Sequence, residues 1–250
     1  MLTAAEQPTP KRRLALSIVF WTLFVLATLL LMFDPDREPS IYDQLPLWQR
    51  LLVSPLMLPV QWFTLLSLRE RLASLLRRVP LPAFGLYLVL GLFLATVLGN
   101  NFAIGFGLDG KDLHPDPLIN TVLYFGPYGG ILIALHMMRR FYAFSYPQVF
   151  WMTGLLGALT EQNFLVPLML LSGNLLGACL LLFNVIPAYA VAFSSIWAIM
   201  PQERLPQGAR RLGVGGVLLF LVLAVVLFYA CAIVWYGLLD LIFGTAFLEL

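Results

Sequence analysis

The sequence predicts an all-α bundle of about seven membrane-crossing helices, and three observations carry that expectation. Of 250 residues, 60% are hydrophobic and only 11% charged, against about 25% charged in soluble domains. Mean hydropathy is +0.88. Apolar runs of near-spanning length recur along the chain, and ~20 such residues cross a hydrocarbon core of ~30 Å. Between them no polar segment is long enough to fold a second core, so residues 1–250 read as one transmembrane domain.

The first run, 14–33, follows Lys11-Arg12-Arg13 and ends in Leu31-Met32-Phe33-Asp34-Pro35. It lacks the small-residue cleavage site of a signal peptide and reads as a retained first span. The run 51–68 carries Ser54, Pro55, Pro59 and Gln61, which fits a kinked span, the favoured expectation, or a segment that dips in and returns. Runs at 81–99 and 118–138 follow, the second with Pro127 as its expected kink. The stretch 148–200 is too long for one helix. It divides into 148–170 and 174–199, with a break between Pro167 and Gly173. An alternative ends the first of these helices near Asn163 and leaves room for a re-entrant piece before the next. The last span is 213–239.

Charge orients these elements. Basic residues gather at Lys11–Arg13, at Arg69, Arg71, Arg77 and Arg78, at Arg139 and Arg140, and at Arg204, Arg210 and Arg211. Acidic residues gather at 34–43 and at Asp109, Asp112 and Asp116. Because Lys and Arg concentrate on the cytoplasmic side, the amino terminus is expected in the cytoplasm and the protein in the plasma (inner) membrane. Spacings of four between small residues, in Gly91-Ala95-Gly99, Gly126-Gly130-Ala134 and Gly173-Gly177, predict close helix pairs.

Glu161 is the only charge between Arg140 and Glu203. A carboxylate in an apolar span costs on the order of 2.5 kcal/mol or more, so it is expected to face protein, a cavity or a proton path. It opens the polar group Glu161, Gln162 and Asn163, and shares a helix face with the small residues Thr153 and Gly157. In the next helix Asn174, Gly177, Leu181, Asn184, Ala188, Ala192 and Ser195 form a second seam, which with Pro187 could line a wet pocket. The candidate intramembrane polar site is therefore Glu161, Gln162, Asn163, Asn174 and Asn184. The competing reading makes Glu161 a neutral buried acid and the asparagines helix-to-helix ties.

His136, one turn ahead of Arg139 and Arg140, is a possible proton relay. Asp109, Asp112, His114 and Asp116 match no metal-loop spacing, and Cys179 and Cys231 have no paired spacing. No metal and no cofactor are expected. The sequence contains no Gly-x-Ser-x-Gly elbow, His-Glu-x-x-His helix, phosphate loop or dinucleotide fingerprint. Nor does it carry the Glu-Glu-x-x-x-Arg helix of glutamate-dependent prenyl proteases, because Gln162 follows Glu161.

Three functions remain open on these residues. The leading expectation is a non-enzymatic subunit or assembly partner of a membrane complex, its partners the lipid bilayer and other membrane proteins, with no nucleic acid. The alternatives are a small permease or proton-linked carrier centred on Glu161, and an intramembrane enzyme acting on a lipid or prenyl substrate.

Overall fold

A computed structural model describes residues 10–33, 46–52, 56–106, 117–160, 165–206 and 208–244. Ten helices follow one another among these residues: α1 (Pro10–Met32), α2 (Leu47–Leu51), α3 (Met57–Arg77), α4 (Ala83–Phe106), α5 (Pro117–Leu123), α6 (Phe125–Phe141), α7 (Tyr146–Thr160), α8 (Leu165–Leu171), α9 (Leu175–Ile199) and α10 (Val214–Phe243). The extended pieces are the two-residue β1 (Tyr142–Ala143) and β2 (Arg210–Arg211), which pair in parallel, Tyr142 opposite Arg210. The all-α expectation holds.

The number of crossings differs from the seven expected. Among the described residues three helices are long and apolar enough to cross a membrane: Thr121–Phe141, Leu175–Ile199 and Val214–Phe243. A fourth is reached only if α7 and α8, bent by 68°, count as one. α1 and α4 run for 23 and 24 residues, and the apolar stretches counted within them are Ser17–Met32 and Ala83–Val97.

The expected span 51–68 is absent from these candidates for a different reason. α3 runs on to Arg77 through Arg69, Glu70 and Arg71, and its half-buried positions Leu65 and Leu66 recur seven residues on at Leu72 and Ala73, with Leu76 one turn further. That is a one-sided amphipathic helix. Trp62 stacks on Tyr146 at 5.5 Å, and about 22 Å further along the helix axis Arg77 meets Glu203. Tyr146 opens α7 and Glu203 follows α9, so the stretch from Trp62 to Arg77 lies at one end of the bundle, while the start of α3 runs beside Ile18–Leu26 of α1.

Local chemistry explains the breaks. The expected break after Pro167 falls at Gly173, whose φ of +80° suits only a residue without a β-carbon. Asn174 then caps α9, accepting the Gly177 N–H at 3.0 Å. Gly177 thus lies against its own cap and does not form the helix pair expected of Gly173-Gly177. Pro167 falls in the first turn of α8, where the missing N–H costs nothing. In the same way Pro127 sits in the first turn of α6, and the irregularity expected of it appears at Tyr124, between α5 and α6. Before α7, the Gln148 side chain accepts from the Ser145 backbone N–H at 2.8 Å, one half of a capping box.

α9 is the hub, packed on α1, α3, α4, α7 and α8, while α10 packs chiefly on α6. Both principal pairings use glycine. Gly126 and Gly130 let α6 meet the α10 backbone at Leu227 and Cys231, and a β-carbon on Gly126 would lie 2.5 Å from that of Trp235. Gly154 and Gly157 receive Ile186 and Tyr189 of α9.

Three arginine-rich segments meet at one end of this bundle. Arg204 donates to the carbonyls of Arg77 (2.8 Å) and Val79 (3.1 Å), Arg139 donates to Gln202 (3.0 Å), and β1 pairs with β2. α6 and α9 therefore arrive at this end, and α7 and α10 leave it.

A Gly130→Leu substitution should be far more damaging than Gly85→Leu, since nothing lies within 4 Å of a β-carbon at Gly85. Overpacking costs about 1–3 kcal/mol or more. Thermal melts of the two variants in mild detergent check this; equal melting temperatures would refute the close α6–α10 contact.

Candidate functional site

Glu161, Gln162 and Asn163 lie outside the described residues, as do Asp109, Asp112, His114 and Asp116. The face of α7 that leads towards Glu161 is placed. Thr153 is fully buried and donates to the Val149 carbonyl at 2.9 Å, while Gly154 and Gly157 lie on Ile186 and Tyr189. This face packs on α9, as the small residues predicted.

The two asparagines are not brought together. Asn174 is exposed and spends its carboxamide oxygen on the α9 cap. Asn184 lies ten residues on, about 15 Å along the axis, and is 1% exposed. Its Nδ2 donates to Thr28 Oγ1 at 2.9 Å, and Thr28 in turn donates to the Phe24 carbonyl at 2.8 Å. Leu181, Ala188, Ala192 and Ser195 of the same seam are also buried. From Leu181 to Ser195 the seam therefore lies within the packed bundle.

A denser polar cluster surrounds His136. It joins α6 to α4 and α9. The imidazole of His136, 7% exposed, sits 4.7 Å from the Phe84 ring and 5.5 Å from the Tyr87 ring, and its Nδ1 is buried without a hydrogen-bond partner. Tyr87, fully buried, donates its hydroxyl proton to the Leu132 carbonyl at 3.1 Å. One turn beyond His136, Arg139 is 5% exposed, with its guanidinium carbon 4.4 Å from the Trp197 ring centroid. Arg139 Nη2 donates to Gln202 Oε1 at 3.0 Å, and Gln202 Nε2 donates to the Trp197 carbonyl at 3.1 Å. Arg139 Nη1 and Trp197 Nε1 are both buried with no acceptor.

The energetics of Arg139 are unusual. Removing a guanidinium from water costs several kcal/mol. A desolvated aromatic face returns about 2 kcal/mol, and a hydrogen bond from a charged donor about 1.5–3 kcal/mol. Among the described residues no carboxylate forms an ion pair with it.

Beside the cluster lies a cleft of about 340 Å³, bounded by Tyr146, Trp197 and Gln202 of the bundle and by Leu66, Arg69 and Arg77 of α3, with Glu70 and Glu203 also on its wall. Arg77 Nε donates to Glu203 Oε1 at 2.6 Å, and this bond, more than any other contact, holds the Glu203 carboxyl below its ordinary pKa. Together with the Arg204 bonds to the end of α3, it fastens the turn Gln202–Arg204 over the cleft.

His136 was the one member of this cluster marked as a candidate from sequence. Arg139, Tyr87, Trp197 and Gln202 were missed. Leu132, Leu135, His136 and Arg139 recur at the spacing of one helical face, which could have marked Arg139, unlike the exposed Arg140, as inward-facing. Among the described residues no three of His, Cys, Asp and Glu are grouped as metal ligands would be.

Comparison with protein-family models, with curated proteins and with solved structures finds no match to this chain.

The Asn184–Thr28 bond should behave as a helix-to-helix tie. A double-mutant cycle with Asn184→Leu and Thr28→Val is expected to give a coupling of about 0.6 kcal/mol, within the range of intramembrane hydrogen bonds. A coupling of zero would mean the two side chains act independently.

Proposed function

We propose that this chain is a non-enzymatic component of a membrane complex, a multi-pass protein of the plasma (inner) membrane with its arginine-rich end in the cytoplasm. The observation that carries this reading is how the described polar side chains are used. Asn184 is bonded to Thr28, Tyr87 to the Leu132 carbonyl, Tyr146 to Ser194 and Trp235 to the Val122 carbonyl. Each of these bonds joins two helices, so the polar groups serve assembly of the bundle.

α10 supports the same reading. At 30 residues it is about 45 Å long, longer than a hydrocarbon core of ~30 Å, and only 22% of its most apolar window is buried. Leu218, Val222, Val226, Ile233 and Leu241 stand exposed along it. A face of this kind suits lipid and neighbouring membrane helices. The carrier reading draws less support, because Asn184 is bonded within the packed bundle and Asn174 is a helix cap. It rests on Glu161 alone.

The meeting of the loops around Arg77, Arg139 and Arg204 supports the orientation, since all three would lie on the side that favours Lys and Arg. α1 agrees with it. Trp21 lies near Trp62 (6.3 Å), while Thr28 meets Asn184, about 22 Å from the Ile199 end of α9, so α1 starts nearer the arginine-rich end.

Two measurements test these readings. A fluorescent protein fused to the amino terminus should fluoresce, and alkaline phosphatase fused to the carboxyl terminus should be active; the reverse pattern would invert the orientation. Purification of the intact chain from membranes in mild detergent, followed by mass spectrometry, should recover a stoichiometric membrane-protein partner. Recovery of the chain alone, or proton-coupled uptake that vanishes in Glu161→Gln, would replace the component reading with another.

A further inference from the structure

Arg139 carries a charge for which the described fold supplies no counter-ion. It is 5% exposed, one of its terminal nitrogens has no acceptor, and the other is held by a neutral carboxamide. A guanidinium is a planar fork matched to two oxygens of a carboxylate or phosphate. Here one prong has an amide oxygen and the other has nothing.

The two side chains against which Arg139 rests, Trp197 and Gln202, both line the cleft of about 340 Å³. Trp197 is 3% exposed, and its indole N–H has the Tyr87 hydroxyl as its polar neighbour without forming a hydrogen bond of ordinary length. The other charges on the cleft wall balance one another: Arg77 is paired with Glu203 at 2.6 Å and Arg69 with Glu70 at 3.8 Å. The charge of Arg139, immediately behind the wall, is the unbalanced one. Gln202, whose Oε1 accepts from Arg139 as a neutral oxygen, is also part of the cleft wall.

We propose that Arg139 anchors an oxyanion-binding site whose ligand is a phosphate group entering by this cleft. In the bound state the ligand oxygens replace the Gln202 carboxamide oxygen on the Arg139 fork. Gln202 sits on the three-residue turn Gln202–Arg204, where a side-chain rotation opens the path without unfolding a helix. With the arginine-rich end at a membrane surface, the phosphate could belong to a lipid headgroup or to a soluble molecule. The chemistry of recognition is the same, and the site does not depend on whether the chain also has a protein partner.

The test uses the full chain, purified in a neutral detergent and stripped of lipid. Its melting temperature is followed in titrations with inorganic phosphate, with phosphatidylglycerol in mixed micelles, and with diacylglycerol of the same acyl chains. A ligand that binds only the folded state raises the melting temperature as its concentration passes Kd. The wild type should respond to phosphate or to phosphatidylglycerol and not to diacylglycerol. A response to inorganic phosphate assigns a soluble ligand; a response to phosphatidylglycerol alone assigns a headgroup.

Arg139→Gln should weaken that response at least tenfold in ligand concentration. Arg71→Gln, which removes an exposed arginine outside the cleft, should leave it unchanged. If Arg139→Gln does not fold, Arg139→Lys decides, since it keeps the charge and loses the fork: a response weakened threefold or more supports the site. No anion response in the wild type, or a wild-type response in the folded Arg139 variant, overturns the proposal.

Discussion

Close approach of helix backbones at glycine is the contact on which the rest of this bundle depends. Where apolar surfaces face lipid, burial gives no net drive for helices to associate, and packing must do it. Gly126 and Gly130 bring α6 onto the backbone of α10, and Gly154 and Gly157 bring α7 onto Ile186 and Tyr189 of α9. With α9 also touching α1, α3, α4 and α8, these two seams set where the other helices can lie. Larger residues cluster around them: Phe24, Tyr87, Leu132, Leu135, Phe193 and Phe220 are all fully buried.

Polar groups then divide into two kinds. Thr28, Thr96 and Thr153 return their hydroxyl protons to carbonyls of their own helices, and Asn184 and Tyr87 bond across helices. These are satisfied. Around Arg139 the balance is different, because a guanidinium, an indole N–H and an imidazole nitrogen are buried together with three atoms unpartnered. Buried polar atoms usually find partners, so this concentration in one cluster distinguishes the end of α6 and α9 from the rest of the bundle. The neighbouring fastening of Gln202–Arg204 to α3, through Arg77 and Glu203, keeps that end covered.

Much of the helical content was legible in the sequence, because apolar runs and their punctuation are local properties. The runs at 174–199 and 213–239 appear as α9 and α10, and the small-residue spacing in 126–134 marks the seam that α10 occupies. The run 51–68 was misread because its apolar residues were counted without the face they share with Leu72, Ala73 and Leu76, further along α3. Gly173-Gly177 matched a packing motif but serves a cap, since a left-handed glycine before an asparagine ends one helix and begins the next. Of the candidate residues, His136 lies in a buried polar cluster, whereas Asn174 and Asn184 face different tasks about 15 Å apart.

By itself the sequence determined that the chain is helical, where most of its long apolar helices begin and end, and which of its loops are basic. Those follow from composition and from periodicity along one strand of covalent chain. Only the tertiary structure decided that Trp62 and Arg77 of α3 both meet the arginine-rich end, that Asn184 is spent on Thr28, and that Arg139 is sealed between Trp197 and Gln202. Each of these is a meeting of residues separated by dozens of positions. Whether a polar group is paired or left waiting for a partner is set by what the other helices bring to it, which local pattern does not record.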